Sequence, residues 1–256
     1  MGNAPLDASD IAIYVATHNQ PIDVSERYLF PIQTGASLST HKICELTDNT
    51  GVHISEKNRE YCELTALYWI WKNTNNAIVG LSHYRRRFKI QESEITKILH
   101  EHEMIIPPPY YFRSSLWKGY KNYHLEADME SLVCILEQRC PEIVPVFRQV
   151  MDDNELIPYN MLIASKVIFD EYCQWLFPIL FAVEKEIDFM VRDTYQRRVM
   201  GFLSERLFTT YVKWRNYKTY ICPVDIPETS TVPRCIKYNA GKYFNKSYFR
   251  LMKQYE

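Results

Sequence analysis

The chain has 256 residues, 46% of them apolar and 24% charged, with 30 Lys plus Arg against 31 Asp plus Glu. That length fits one large domain burying roughly 70% of its unfolded surface, and the composition excludes disorder for the bulk of the chain. A formal net charge of −1 lacks the basic excess that phosphate neutralisation demands, so no nucleic-acid partner is expected.

Seven cysteines occur without any Cys-x-x-Cys pair. The odd count and the spacing argue against a disulfide scaffold or structural zinc and fit a reducing cytosol. Met1–Asp10 has neither the basic nor the apolar region of a signal peptide. The longest apolar run, Trp175–Val183, is nine residues interrupted by Pro178, against about 20 for a membrane span. The expected location is the cytoplasm or the inner face of the cell membrane. Seven glycines form neither G-x-G-x-x-G nor a Walker A loop, which disfavours a Rossmann dehydrogenase and a P-loop NTPase.

In chain order, Ile11–Ala16 reads as a first strand ending in a polar loop. Residues 19–57 are rich in turn formers and read as irregular. Asn58 is placed to cap a helix over Arg59–Asn73, with Tyr61, Leu64, Tyr68 and Trp71 as its apolar stripe. Ala77–Ser82 reads as a buried strand, Ser93–Glu101 as a helix and Met104–Ile106 as a strand. Residues 113–153 read as helical with breaks near His124 and Pro141. Tyr159–Ser165 reads as a strand, Lys166–Ile187 as a helix kinked or broken at Pro178, and Arg192–Asn216 as a long amphipathic helix. Tyr220–Pro223 reads as a last strand. Strands alternating with helices predict an α/β layered domain. Beyond it, residues 236–256 interleave Lys and Arg with Tyr and Phe, as in segments that lie on anionic membranes. The alternative is a terminal segment packed on the body.

The chemistry concentrates in three places. His83-Tyr84-Arg85-Arg86-Arg87 leaves a buried strand, where open α/β sheets bind ligands. Arginine grips phosphate with paired donors, so this exit is read as a phosphate site. Residues 48–58 precede a helix start. There Lys57 and the amides suit an anion, and Asp48, Ser55 and Asn58 suit base or ribose, with a self-satisfied capping loop as the equal alternative. In the helix from Arg192, Arg206 falls in an apolar stripe and needs a carboxylate or a phosphate. Glu205 lies on a neighbouring stripe with Arg198 and Gly201, suited to a general base, the alternative being a surface pair with Arg198. His100 with His102, Asp152 with Asp153, and the His124, Glu126, Asp128 patch are weaker candidates.

Six segments carry a family resemblance: IAIYVATHN (11–19), YLFPIQTGA (28–36), DNTGVHISEKNREYCELTALYWIWKN (48–73), IVGLSHYRRRF (78–88), YNMLIASKVIFDEYCQWLFPIL (159–180) and RVMGFLSERLF (198–208). The chain resembles the bacterial family of capsular and exopolysaccharide biosynthesis glycosyltransferases, first defined as a domain of unknown function. The resemblance implies a GT-A-like α/β domain over residues 1–235, with a mixed, mostly parallel central sheet flanked by helices, and a helical or extended tail over 236–256. It implies a nucleoside-diphosphate-hexose donor, UDP-linked, and a glycan or lipid-linked glycan acceptor. Galactose and galactofuranose are the donor sugars it implies. Thr17 and His18 then hold the nucleotide. The place of the usual Asp-x-Asp metal element falls at His83-Tyr84-Arg85, so Arg85 and Arg86 are expected to neutralise the diphosphate with no required cofactor. Mg²⁺ or Mn²⁺ stays open. The Tyr159-Asn160-Met161 turn is similar to one in retaining galactosyltransferases whose Asn touches the donor sugar. Lys57, His83, Tyr84, Arg85, Arg86 and Arg206 complete the expected donor site, and Glu205 is the expected base. The rival reading is a non-catalytic nucleotide-sugar or glycan-binding partner in polysaccharide assembly.

Overall fold

The computed structural model describes residues 10–225 and 244–253. Cys235 and most of the basic tail lie outside the described residues, as does the amino-terminal stretch before Asp10. The chain runs β1 (Ile11–Thr17), β2 (Leu29–Gln33), β3 (Leu46–Thr47), α1 (Asn58–Tyr61), α2 (Leu64–Asn73), β4 (Ile78–His83), β5 (Arg87–Phe88), α3 (Glu92–Glu101), β6 (Met104–Ile106) and β7 (Tyr110–Tyr111). It continues through α4 (Leu116–Tyr123), α5 (Glu126–Arg139), α6 (Val144–Asp152), β8 (Glu155–Leu156), β9 (Leu162–Ser165), α7 (Lys166–Glu184), α8 (Val199–Trp214), β10 (Thr219–Ile221) and β11 (Val224–Asp225). A last helix, α9, covers residues 244–252.

Seven strands form one sheet in the order β10-β6-β9-β4-β1-β2-β3. All neighbours run parallel except where β9 lies antiparallel between β4 and β6. The fold class is therefore α/β with a mixed, mostly parallel sheet. Every residue of β1 is buried, as expected for a central strand covered on both faces. Ala12, Tyr14 and Ala16 point into the larger core, shared with α2, α5, α6, α7 and α8. Ile11 and Ile13 point to the opposite face, where Ile95 of α3 packs. The parallel pairing of β1 with β4, Ala16 opposite His83, places the loop after Thr17 beside the loop after His83.

Several elements differ from the sequence reading. The 19–57 region holds β2 and β3. Pro31 hid β2, since proline cannot donate to a ladder. β3 is only two residues long and pairs Ile32 and Gln33 alone, so Pro31 lies where β2 is still a sheet edge. The helix expected over Arg59–Asn73 breaks at Cys62, whose φ is 51°. The strand expected from Tyr159 begins at Leu162, because Tyr159 and Asn160 are both left-handed, at φ 75° and 51°. α8 starts at Val199 rather than Arg192. The preceding turn is tied by Asp193 Oδ1 accepting from Gln196 N–H at 2.7 Å, and by Arg192 in a bidentate pair with buried Asp128. Pro178 sits inside α7 without ending it. Buried Leu176, Phe177, Ile179 and Leu180 around it outweigh one lost backbone bond. Among the described residues the cysteines are unbridged, and no helix is long and apolar enough to cross a membrane.

Candidate active site

A cleft of about 770 Å³ opens at the carboxyl ends of β1 and β4. Its floor is the β1 exit (Ala16, His18, Asn19) and the β4 exit (His83 to Arg86). One wall is the turn from Asn58 to Glu63, and the other is Tyr159 with Arg197, Arg198 and Glu205 at the start of α8.

The β4 exit is a tight turn. His83 N–H donates to Arg86 O at 3.0 Å, Arg86 N–H donates back to His83 O at 2.9 Å, and Ser82 Oγ donates to Arg86 O at 2.9 Å. Tyr84 N–H donates to Ala16 O, joining the β1 and β4 exits. The turn aims Arg85 and Arg86 into the cleft, while Arg87 leaves it to pair with Asp225 in β11. Arg85 lies 5.0 Å over the Tyr84 ring, and Arg86 lies 4.2 Å over Tyr159. Arg86 Nε is buried and meets no acceptor among the described residues. A guanidinium N–H buried at a cleft without a protein acceptor is chemically suited to an anion.

His83 is tied by its Nε2, 3.0 Å from Tyr159 O. That partner is a carbonyl, so Nε2 carries the proton. Burial, and more weakly Arg86, holds its pKa below the ordinary value. The His18 ring packs edge-on to Tyr84 at 5.6 Å. Its pKa is lowered by desolvation, then by Arg85 and Arg198. Beneath α4, burial lowers His124 to about 4. All three imidazoles bind a proton less readily in the fold than in the unfolded chain, which protonates near ~6.5. The stability they contribute is thus complete above that value and is lost as pH falls below it. The melting temperature is expected to drop by roughly 3 °C or more between pH 7 and 5. His124→Phe, which keeps the stack on Phe202, flattens that slope in pH-resolved thermal denaturation.

Two carboxylates face the cleft, and their bonds differ. Glu205 Oε1 accepts the Tyr159 N–H at 2.7 Å, and Oε2 meets Arg206 at 3.1 Å. Burial raises its pKa, an effect Arg206 and the Tyr159 amide partly offset. Glu205 thereby holds a left-handed residue in place, and its partner is Arg206 rather than Arg198. Glu63 Oε1 accepts from Asn160 Nδ2 at 2.7 Å, and Oε2 has no hydrogen bond among the described residues. Glu63 is a residue the sequence reading missed. Its reach into the cleft comes from the left-handed Cys62 before it, a reversal that a helix-like pattern conceals.

Other expected site residues lie elsewhere. Asn160 is 1% exposed. Its amide also donates to Gly201 O, and its oxygen accepts from Ser204 Oγ. It therefore orients Glu63 instead of reaching a ligand. Thr17 is buried under the β1 exit and donates to Gln20 O, leaving His18 as the exposed side chain of that exit. Asp48 is buried as a loop hub, accepting from the Gly35 and Ala36 amides and from Ser55 Oγ. Ser55 also accepts from Ser37 N–H, so the capping alternative describes this loop. Asn58 does line the cleft. Its side chain fills the space a Cβ would need at Gly35, which has φ 66°, and donates to Cys62 O and Thr65 Oγ1. Lys57 points away and pairs with Glu184. Arg206 is turned toward Tyr120, 5.2 Å from that ring, outside the cleft. Arg59, Arg197 and Arg198, not foreseen as donor ligands, complete the basic lining. Arg197 is held by Glu60 at 2.6 Å.

Among the described residues no group of three or more His, Cys, Asp or Glu is placed to hold a metal ion. At the β4 exit stand guanidinium groups, which repel a cation, so the donor set there does not fit a divalent ion held by the protein alone.

A solved structure, the apo form of WbbM, described as a bifunctional glycosyltransferase, is similar with a TM-score of 0.78 at 26% sequence identity. The match covers 86% of this chain and 46% of that one, so this chain spans about half of its length. No curated protein matches. The family described as domain of unknown function DUF4422 matches residues 12–216. That range runs from β1 through α8 and contains every wall of the cleft, and the chain belongs to this family.

Proposed function

We propose that the chain is a glycosyltransferase moving a hexose from a nucleoside-diphosphate sugar, UDP-linked, to a growing capsular, O-antigen or exopolysaccharide glycan. The observation that carries this reading is the cleft itself. Arg85, Arg86 and Arg198 converge at a sheet rim across from Glu63 and Glu205, in a fold shared with half of a bifunctional glycosyltransferase. Galactose and galactofuranose are the first sugars to try.

In this reading the guanidinium groups take the diphosphate. Their field stabilises the negative charge that grows as the bond from the anomeric carbon to the diphosphate oxygen breaks. His18 and Tyr84 form the platform at the β1 exit for the nucleoside. Neutral His83 holds the Tyr159 carbonyl and keeps the far wall in register. The acceptor hydroxyl enters between Arg198 and the carboxylates. Glu63 is the carboxylate with an oxygen to spare, so it takes the hydroxyl proton while the acceptor oxygen bonds to the anomeric carbon and the electron pair departs on the diphosphate. Glu205, with both oxygens engaged, is the group that fixes the turn.

Ligand binding raises the melting point by mass action. A thermal-shift screen of UDP-, GDP-, dTDP- and CMP-sugars, with Mn²⁺ or with EDTA, is expected to show stabilisation by UDP-sugars that survives EDTA. Stabilisation by CMP-sugars alone, or by none, would overturn the donor assignment. Binding without release of UDP in the presence of any glycan acceptor would favour a non-catalytic partner.

A further inference from the structure

Asn58 lines the cleft with one end of its amide engaged and the other end open. Its Nδ2 donates to Cys62 O at 2.7 Å and to Thr65 Oγ1 at 3.0 Å. A backbone carbonyl only accepts, so the amide nitrogen faces Cys62 and the oxygen faces the other way. Oδ1 accepts no hydrogen bond among the described residues. It lies beside Gly35, where a Cβ would stand 2.6 Å from it. Glycine, already required there by a φ of 66°, therefore keeps the oxygen uncrowded. Gly35 follows Thr34, which lines the cleft with Asn58 at the end of β2. The Thr34 N–H donates to Thr17 O at 2.8 Å, tying the β2 exit to the β1 exit.

We infer that Asn58 Oδ1 reads the imino N–H of a uracil base and so sets the choice of nucleotide. The inference rests on the proposed donor reading, in which Arg85 and Arg86 take the diphosphate at the β4 exit. The sheet order there is β4-β1-β2. The β2 exit thus stands two strand spacings, about 10 Å, from the arginines, with His18 of the β1 exit between them. Diphosphate, nucleoside platform and base are laid across three neighbouring strand ends, the place where open α/β sheets bind their ligands. Uracil offers N3–H between two carbonyls. Cytosine has a bare nitrogen acceptor at the same position, which would meet Oδ1 lone pair against lone pair. A fixed acceptor therefore attracts the first base and repels the second. The amide cannot turn over to suit cytosine, because that would set its oxygen against Cys62 O and leave the donors of Asn58 without their partners.

The test is calorimetric titration of the wild-type chain with UDP, CDP and UDP methylated at N3. UDP is expected to bind about tenfold or more tightly than either of the others, the scale of one directional hydrogen bond with its unpaired alternative. Asn58→Ala is expected to bring UDP and its N3-methyl form to about equal affinity, while UDP still binds more tightly than UMP because the arginines are untouched. Equal wild-type affinities for UDP and N3-methyl UDP, with UDP still preferred to UMP, would overturn the inference and leave the diphosphate reading standing. Discrimination that persists in a folded Asn58→Ala would overturn it as well. Absence of any UDP binding to the wild type would remove the donor reading and this inference with it. Asn58→Ala also deletes two bonds that hold the α1 turn, so a second measurement covers a variant that does not fold. Photolabelling of the wild type with 5-azido-UDP is expected to mark a peptide carrying Thr34 or Asn58, and a label confined to peptides carrying neither would overturn the assignment.

Discussion

Arg85→Ala is expected to lower sugar transfer by about 10²–10³-fold, the cost of removing one preorganised donor from a developing negative charge. Stability should barely change. Arg85 is exposed, its one ring contact is to Tyr84, and it has no ion pair among the described residues. Exposed substitutions of this kind stay within about 0.5 kcal/mol. Steady-state kinetics beside thermal denaturation separate the two effects. A folded Arg85→Ala enzyme with normal turnover would remove the diphosphate clamp from the account. Arg86→Ala is the less clean variant, since the Arg86 guanidinium also stacks on Tyr159 and its loss would disturb the cleft wall.

Glu63→Gln is expected to reduce kcat by about 10²–10⁴-fold, the range supplied by a positioned general base. Gln keeps an oxygen for the Asn160 amide, so the wall stays in place and affinity for UDP should be retained. The contrast with Glu205 is diagnostic. Glu205→Ala strips the acceptor from the Tyr159 amide and leaves Arg206 without its carboxylate. It should therefore lower the melting temperature as well as activity. Equal kinetic losses with equal destabilisation in both variants would mean that neither carboxylate is the base.

How much of this was legible in the sequence follows from the range of the forces involved. The β1 and β4 strands are continuous apolar runs, and their burial on both faces is the cause of that pattern. The arginine exit after β4 was legible for the same reason: three cations just beyond a buried strand must emerge at a sheet rim. The 48–58 loop was half legible. Its residue types suited a ligand and a self-satisfied cap equally, and only the placement of Gly35 and Ala36 beside Asp48 decides for the cap. Glu63 and Asn160 are 97 residues apart in the chain, and no local pattern announces a bond between them. The left-handed Cys62, Tyr159 and Asn160 that shape the cleft are non-glycine residues, so composition gives no warning of them. Arg206 met its carboxylate as its apolar stripe required, but the partner was its own neighbour, Glu205, which lines the cleft while Arg206 does not.

The central claim is that guanidinium groups beyond β4 hold a diphosphate. Calorimetric titration of UDP and of UMP into the wild-type chain and into Arg85→Ala, all in EDTA, tests it directly. The account predicts that UDP binds the wild type about tenfold or more tightly than UMP does, the second phosphate being gripped by Arg85, and that the variant loses most of this preference. Equal affinities for the two nucleotides, or a UDP preference that persists in Arg85→Ala, would contradict it.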